Sequence, residues 1–387
     1  MRTPAIVACP LLVAAVLATG CSSASQSSGG STGAGPITVN AGDQACQLAT
    51  STLPAGQHTF EIHNSAAQVT EVYLYAAGDR IVGEVENIGP ATKRNLTVDL
   101  PAGQYQVACK PGMVGNGNRT PLTVTGATTA SRSPGQELQA AVASYRGYVQ
   151  TETQALVDTA ATFVAAINAG NLAAAKQAYP AARLHYERIE PIAESFGDLD
   201  PLIDMRIDDV TGDTPFVGFH ALERLLFGRN TLTGAGPLAS GLTANLSKLN
   251  TLVRTVRFTP LVLANGAKSL LDEVARSKVT GEEERYSRID LVDFAGNVDG
   301  AKYVYTALRP ALQHRNPQLV AALDQRFPAL TQLLDSHRAK AGSAGYLPGS
   351  PYVSYDALSK AQVRALAVEV DALSEPLGQL AGAVAAG

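Results

Sequence analysis

The spacing of apolar residues changes once along this chain, near residue 126, and that change limits the fold more than any single motif does. Before it, short segments alternate apolar with polar residues: Ile37-Thr-Val, Gly56-Gln-His-Thr-Phe-Glu-Ile-His, Glu71-Val-Tyr-Leu-Tyr, Asn95-Leu-Thr-Val-Asp-Leu, Gly103-Gln-Tyr-Gln-Val-Ala-Cys and Pro121-Leu-Thr-Val-Thr. Pro, Gly and Asn separate them, so six or seven strands within about 90 residues predict a small antiparallel β-sandwich. After a Thr/Ser/Ala-rich linker the period becomes helical. Leu138, Val142, Tyr145, Val149, Leu156 and Phe163 fall near helical spacing over residues 137–166, with Ile167 just beyond. A short helix is predicted over 172–178 and a new one from Pro180 that carries Tyr186, Glu187 and Glu190, with Pro191 kinking it. Residues 213–215 read as the cap and first turn of a helix bearing His220 and Glu223. Further helices are predicted at 244–257, 262–277, 285–312, 317–341 and 359–380. Eight or so helices over about 250 residues without a strand pattern imply an all-α bundle. The expected fold class is multidomain β + α, a sandwich followed by a helical bundle.

The first twenty residues read as an address. Arg2 supplies a positive end, residues 5–18 are almost wholly apolar, and the stretch closes on Leu17-Ala18-Thr19-Gly20-Cys21. That pattern resembles a bacterial lipobox, in which Cys21 is lipidated and becomes the mature N-terminus; an ordinary secretory leader cleaved nearby is the alternative. The Ser/Gly-rich run over 21–35 suits a flexible tether from a membrane anchor. The organisation expected is a leader over 1–20, a tether over 21–35, a sandwich over 36–126, a linker over 127–135 and a helical domain over 136–387. A net charge of −4 gives no reason to expect nucleic acid as a partner.

With Cys9 and Cys21 assigned to the leader and the anchor, Cys46 and Cys109 remain. In an oxidising compartment two such residues form a disulfide or share a metal. The sandwich resembles the cupredoxin fold, in which a metal-binding loop joins the last two strands. Here that loop is Cys109-Lys-Pro-Gly-Met-Val-Gly-Asn-Gly-Asn-Arg-Thr, with Cys109 and Met113 but no His. His58 and His63 lie at odd spacing on one strand and point to opposite faces, which disfavours blue copper. A mixed site of Cys46, Cys109, Glu71 and the Glu84/Glu86 pair is one reading. A Cys46–Cys109 bridge with surface glutamates is the other.

The helical half carries the acidic constellation. Glu187 and Glu190 are three apart, as are His220 and Glu223, so on helices each pair shares a face. Between them lies an acid-rich turn with Asp198, Asp200, Asp204, Asp208 and Asp209, and a second acidic stretch holds Glu283, Glu284, Asp290 and Asp293. Oxygen donors with one imidazole suit a hard cation, and bundle cores hold metals through Glu and His from facing helices. Phe216, Val217, Phe219, Leu222, Leu225, Leu226 and Phe227 leave little of the His220 helix exposed, so a buried Glu223 needs a partner or a metal.

Three long phrases resemble the imelysin family, and within it the EfeO type: Arg183-Leu-His-Tyr-Glu-Arg-Ile-Glu-Pro-Ile-Ala-Glu, Gly218-Phe-His-Ala-Leu-Glu, and Glu273-Val-Ala-Arg-Ser-Lys-Val-Thr-Gly-Glu-Glu-Glu-Arg-Tyr-Ser. The resemblance covers essentially the whole mature chain, since such proteins pair a cupredoxin-like domain with an imelysin domain. It implies a lipid-anchored, extracytoplasmic iron-binding component of an EfeUOB-type uptake system, with an iron permease and a heme peroxidase as partners. It also implies that Glu187, Glu190 and Asp204 bind metal with one Glu of 282–284, for which Glu283 is chosen. His220 and Glu223 match the signature motif, and Cys46, Glu71 and Cys109 fall where copper or iron is proposed in EfeO-type β domains. The family has also been classed among peptidases, but a zincin needs two His four apart, and no second His lies within a turn of His220. A surface lipoprotein whose acids only solubilise the bundle is the third reading.

Overall fold

A computed structural model describes residues 35–126, 135–210, 212–276 and 278–386. The expected leader, Cys21, and nearly all of the expected tether and linker lie outside the described residues. Nine strands follow one another as β1 (Ile37–Ala41), β2 (Cys46–Leu48), β3 (Thr52–Pro54), β4 (Gly56–Asn64), β5 (Thr70–Tyr75), β6 (Ile81–Ile88), β7 (Lys93–Leu100), β8 (Gly103–Pro111) and β9 (Asn118–Thr125). They form one sheet in the order β2-β1-β4-β7 and a second in the order β3-β9-β8-β5-β6. Alternation sends Val39, Phe60, Ile62, Leu96 and Val98 from the first sheet, and Val72, Leu74, Val107 and Leu122 from the second, into one buried cluster. The sandwich is not wholly antiparallel. Strand β1 runs parallel to β4, and β3 parallel to β9. A two-residue period tells which side chains face inward but is the same for both strand directions, so alternation is blind to this.

Cys46 on β2 and Cys109 on β8 are joined by a disulfide that ties one sheet to the other. This corrects the thiolate reading, because a sulfur in a disulfide offers no thiolate to a metal. Glu71 is engaged as well, paired with Lys110 at 3.4 Å and Arg276 at 3.5 Å. Cys46, Glu71 and Cys109 therefore form no ligand set for copper or iron.

The helical half comprises α1 (Gln136–Asn168), α2 (Leu172–Ile189), α3 (Leu199–Asp204), α4 (Gly218–Glu223), α5 (Ala235–Leu252), α6 (Pro260–Arg276), α7 (Asp290–Arg315), α8 (Pro317–Asp335), α9 (Lys360–Leu377) and α10 (Leu380–Ala385). Leu138, Tyr145, Val149, Leu156 and Phe163 bury the stripe of α1 that the spacing marks. Several boundaries differ from expectation. Helix α2 runs unbroken through Pro180, whose ring and the neighbouring Tyr179 are buried, so packing outweighs the ladder bond that proline removes. Helix α4 begins at Gly218 and not at 213–215, and it continues into a π-helical turn over Arg224–Gly228. Helix α7 begins at Asp290 and not at 285, because the chain turns through positive φ at Gly281 and Arg288 first.

Helix α6 packs against β6 and β7, joining the two halves of the chain. Asn265 donates to the Thr97 carbonyl at 2.9 Å, Asn87 donates to the Asp272 carbonyl at 3.0 Å, and Ser269 hydrogen-bonds Glu84. Arg276 at the end of α6 pairs with Glu86 at 2.9 Å. Among the described residues no helix is long and apolar enough to cross a membrane.

Candidate metal centre

Five segments converge on a buried ionic centre: the last turns of α2, the end of α3, helix α4, the turn over residues 278–287, and the first turns of α7. Two close approaches bring them together. Gly296 on α7 lies so near α2 that a Cβ there would stand 2.5 Å from the Glu187 Cβ. Gly218 opens α4 at φ +80°, where a Cβ would stand 2.2 Å from the Ile203 carbonyl oxygen. Only glycine accepts both that backbone angle and that contact, and the result is that Asp204 at the end of α3 faces His220 on α4.

His220 is 2% exposed, and its two ring nitrogens do different work. Nδ1 lies 3.3 Å from Glu223 Oε2, while Glu223 Oε1 accepts the Tyr286 and Ser287 backbone N–H groups at 2.7 Å each. Nε2 has no hydrogen-bond partner. It faces Asp204 Oδ1 at 3.5 Å and Glu283 Oε1 at 3.6 Å, so an imidazole nitrogen and two carboxylate oxygens point into one gap. Glu223, expected as a ligand, is occupied in fixing the ring of His220, as carboxylates behind metal-binding histidines do. Of the acidic run, Glu282 is exposed, while Glu284 is turned to Tyr179 at 3.0 Å and to Ser287. Glu283 is the one that reaches His220.

Glu187 is fully buried and Glu190 partly so, and both are already matched with cations. Lys278 Nζ donates to Glu187 Oε2 at 2.9 Å and to Glu190 at 2.8 and 2.7 Å. Arg183, with no exposed surface, pairs with Glu187, with Asp204, with Glu284 at 2.9 Å and with Asp293 at 3.0 Å. Asn297 on α7 donates to Glu187 at 2.8 Å and to Glu190 at 2.5 Å. Sequence reasoning missed these counter-ions, although Arg183 and Lys278 sit inside the phrases that carried the resemblance.

Carboxylates outnumber the buried cations here, and their pKa values divide accordingly. Burial works to raise that of Glu187, but Arg183 and Lys278 outweigh it and hold the carboxyl at about 2. Burial and then repulsion from Glu187 push Glu190 well above its usual range. Burial lifts Asp204 to about 6 against the pull of Arg183. Burial opposes ionisation of Glu283 too, yet Lys278, Arg206 and His220 keep it well below the ordinary carboxylate value. An excess of acids held in this state accommodates added positive charge.

Ligand atoms of Asp204, His220 and Glu283 lie within 4.8 Å of one another, as do those of His220, Glu223 and Glu284 and of Glu187, Glu283 and Asp293. Of these groups, His220, Glu223 and Glu283 line an opening. A cleft of about 10 Å³, room for one water, reaches His220 and Glu283 between Arg206, Phe216 and Tyr286. Arg206 spans its mouth, 3.1 Å from Glu283 and 3.3 Å from Glu273.

A family model described as imelysin matches residues 141–380, and one described as a cupredoxin-like domain matches residues 10–124. The iron uptake system component EfeO of Yersinia pestis is 38% identical over 351 residues, spanning 89% of this chain and 90% of that protein. Its counterpart in Escherichia coli K12 is 38% identical over 352 residues, and that in Yersinia pseudotuberculosis 39% over 350, with the same coverage. Both halves are thus accounted for, the sandwich by one model and the helices by the other, and the chain belongs to the imelysin family as an EfeO-type iron uptake system component.

Proposed function

We propose that this chain captures iron outside the cytoplasmic membrane through Asp204, His220 and Glu283, with Glu187 and Glu190 beside them, and passes it to a membrane permease. The observation that carries the reading is the His220 Nε2 atom, buried, without a hydrogen-bond partner, and facing two carboxylates from other segments. In the metal-free protein a proton on that nitrogen meets the two carboxylates, and a cation in its place would take the nitrogen and both oxygens at once. Oxygen donors with one imidazole suit iron better than copper(I). The narrow cleft reaches His220 and Glu283 and has room for about one water. Anchoring through a lipid on Cys21 fits this role. So does the Cys46–Cys109 disulfide, which belongs to an oxidising compartment. A permease and a heme peroxidase are the partners that an EfeUOB-type system supplies.

Hydrolysis is less well supported. Both Glu223 oxygens are engaged, one by two backbone N–H groups and one by His220, so the carboxylate of the His-x-x-Glu motif is not free to activate water.

Calorimetric titration with ferric citrate and with ferrous iron tests the proposal. The wild type is expected to bind saturably, and His220→Ala to weaken binding by about 100-fold or more while the far-UV spectrum is kept. Equal uptake by His220→Ala and wild type would remove the reading, and so would no saturable uptake by either.

A further inference from the structure

We propose that Lys278 is an internal stand-in for the cargo: its ammonium fills the Glu187/Glu190 half of the site in the metal-free protein and is displaced when iron arrives, which sets the affinity. The inference rests on the Asp204–His220–Glu283 site being where iron binds.

Lys278 is 1% exposed, and its Nζ meets three oxygens of two carboxylates at 2.7–2.9 Å. A buried lysine keeps its charge only where anions surround it, and here they are arranged as ligands about a cation. Glu283 links the two halves. Its Oε1 lies 3.6 Å from His220 Nε2, 3.7 Å from Lys278 Nζ and 3.6 Å from Arg183. An ion seated on His220 and Glu283 therefore shares an oxygen with the ammonium. Two positive charges gathered about one buried carboxylate repel each other far more than they would in water. In this exchange the tethered charge turns aside; it sits on a short 3₁₀ turn, Lys278–Thr280, followed by Gly281 at positive φ. Glu187 and Glu190 then become available to the ion.

The exchange has two consequences. The lysine neutralises acids that would otherwise repel one another in the metal-free centre. Affinity is lowered, because each ion that binds must evict a resident charge, and that same charge helps to expel it. Such a balance suits a carrier, which has to let go.

The test is ferric citrate titration of full-length wild type and Lys278→Met, with thermal unfolding in both states. Lys278→Met is expected to bind about tenfold tighter, to unfold at lower temperature without metal, and to gain more from added metal than wild type does. Unchanged or weaker binding by a folded Lys278→Met would overturn the proposal. Should that variant fail to fold, lysine side-chain NMR of the wild type decides. Addition of diamagnetic Ga³⁺ is expected to shift the Lys278 resonance towards that of a solvated ammonium, and no change on saturation overturns the idea. If wild type binds no iron at all, the functional reading fails first, and the two failures are told apart by that control.

Discussion

The imidazole of His220 shows how one residue's chemistry is set by what lies behind it. Glu223 fixes Nδ1, and two backbone N–H groups fix Glu223, so Nε2 is aimed without any partner of its own. Loosening that support should weaken iron binding without removing a ligand. Glu223→Gln is expected to lower affinity by about 10- to 100-fold while His220 stays in place, read by the same titration and by unchanged helical content. A variant that binds as well as wild type would mean the carboxylate does not hold the ring. At this scale the residue types were legible and their division of labour was not. That His220 and Glu223 share a buried face could be argued from their spacing in apolar surroundings, whereas Glu283 was picked from the 282–284 run on the family resemblance. That Glu282 faces solvent and Glu284 turns to Tyr179 depends on the path of a turn that has no period. Arg183 and Lys278 escaped notice because cations among acids look like ordinary surface pairs until burial is known.

Elements matter here through where they start and how near they come. Helix α4 begins at Gly218 because the chain must take a left-handed angle against the end of α3, and that approach sets Asp204 opposite His220. Gly218→Ala is expected to cost about 1–3 kcal/mol in urea denaturation and to weaken iron binding as well, since α3 must retreat from the added carbon. Loss of stability with full affinity would show that the α3–α4 contact does not position the site. Helices with a clear apolar stripe, α1 above all, were readable from spacing alone. The starts of α4 and α7 were not, because positive φ at Gly218, Gly281 and Arg288 answers to neighbours distant in sequence. Pro180 misled for a related reason: its helix-breaking tendency is local, whereas the packing that overrides it is not.

Across the whole molecule, the sandwich and the helices meet through a polar seam that holds buried acid. Glu86 is 3% exposed; burial, and then repulsion from Glu84, lift its pKa to about 9 in spite of Arg276. A folded value above the unfolded one near 4.5 means that the native state holds this proton more tightly. The stability it contributes is fully present below pH 4.5 and falls as pH rises towards 9. Urea midpoints are therefore expected to decline from pH 5 to 8.5, and Glu86→Gln to flatten the decline. An equal slope in the variant would assign the pH dependence elsewhere. The seam has a further consequence through Arg276, which clasps Glu71 and Glu86 of the sandwich and stands two positions along the chain from the lysine that guards Glu187 and Glu190. Cutting the gene between sandwich and bundle would strand a guanidinium two positions from Lys278, and a helical fragment made that way is expected to bind iron less tightly than the intact protein in the same titration.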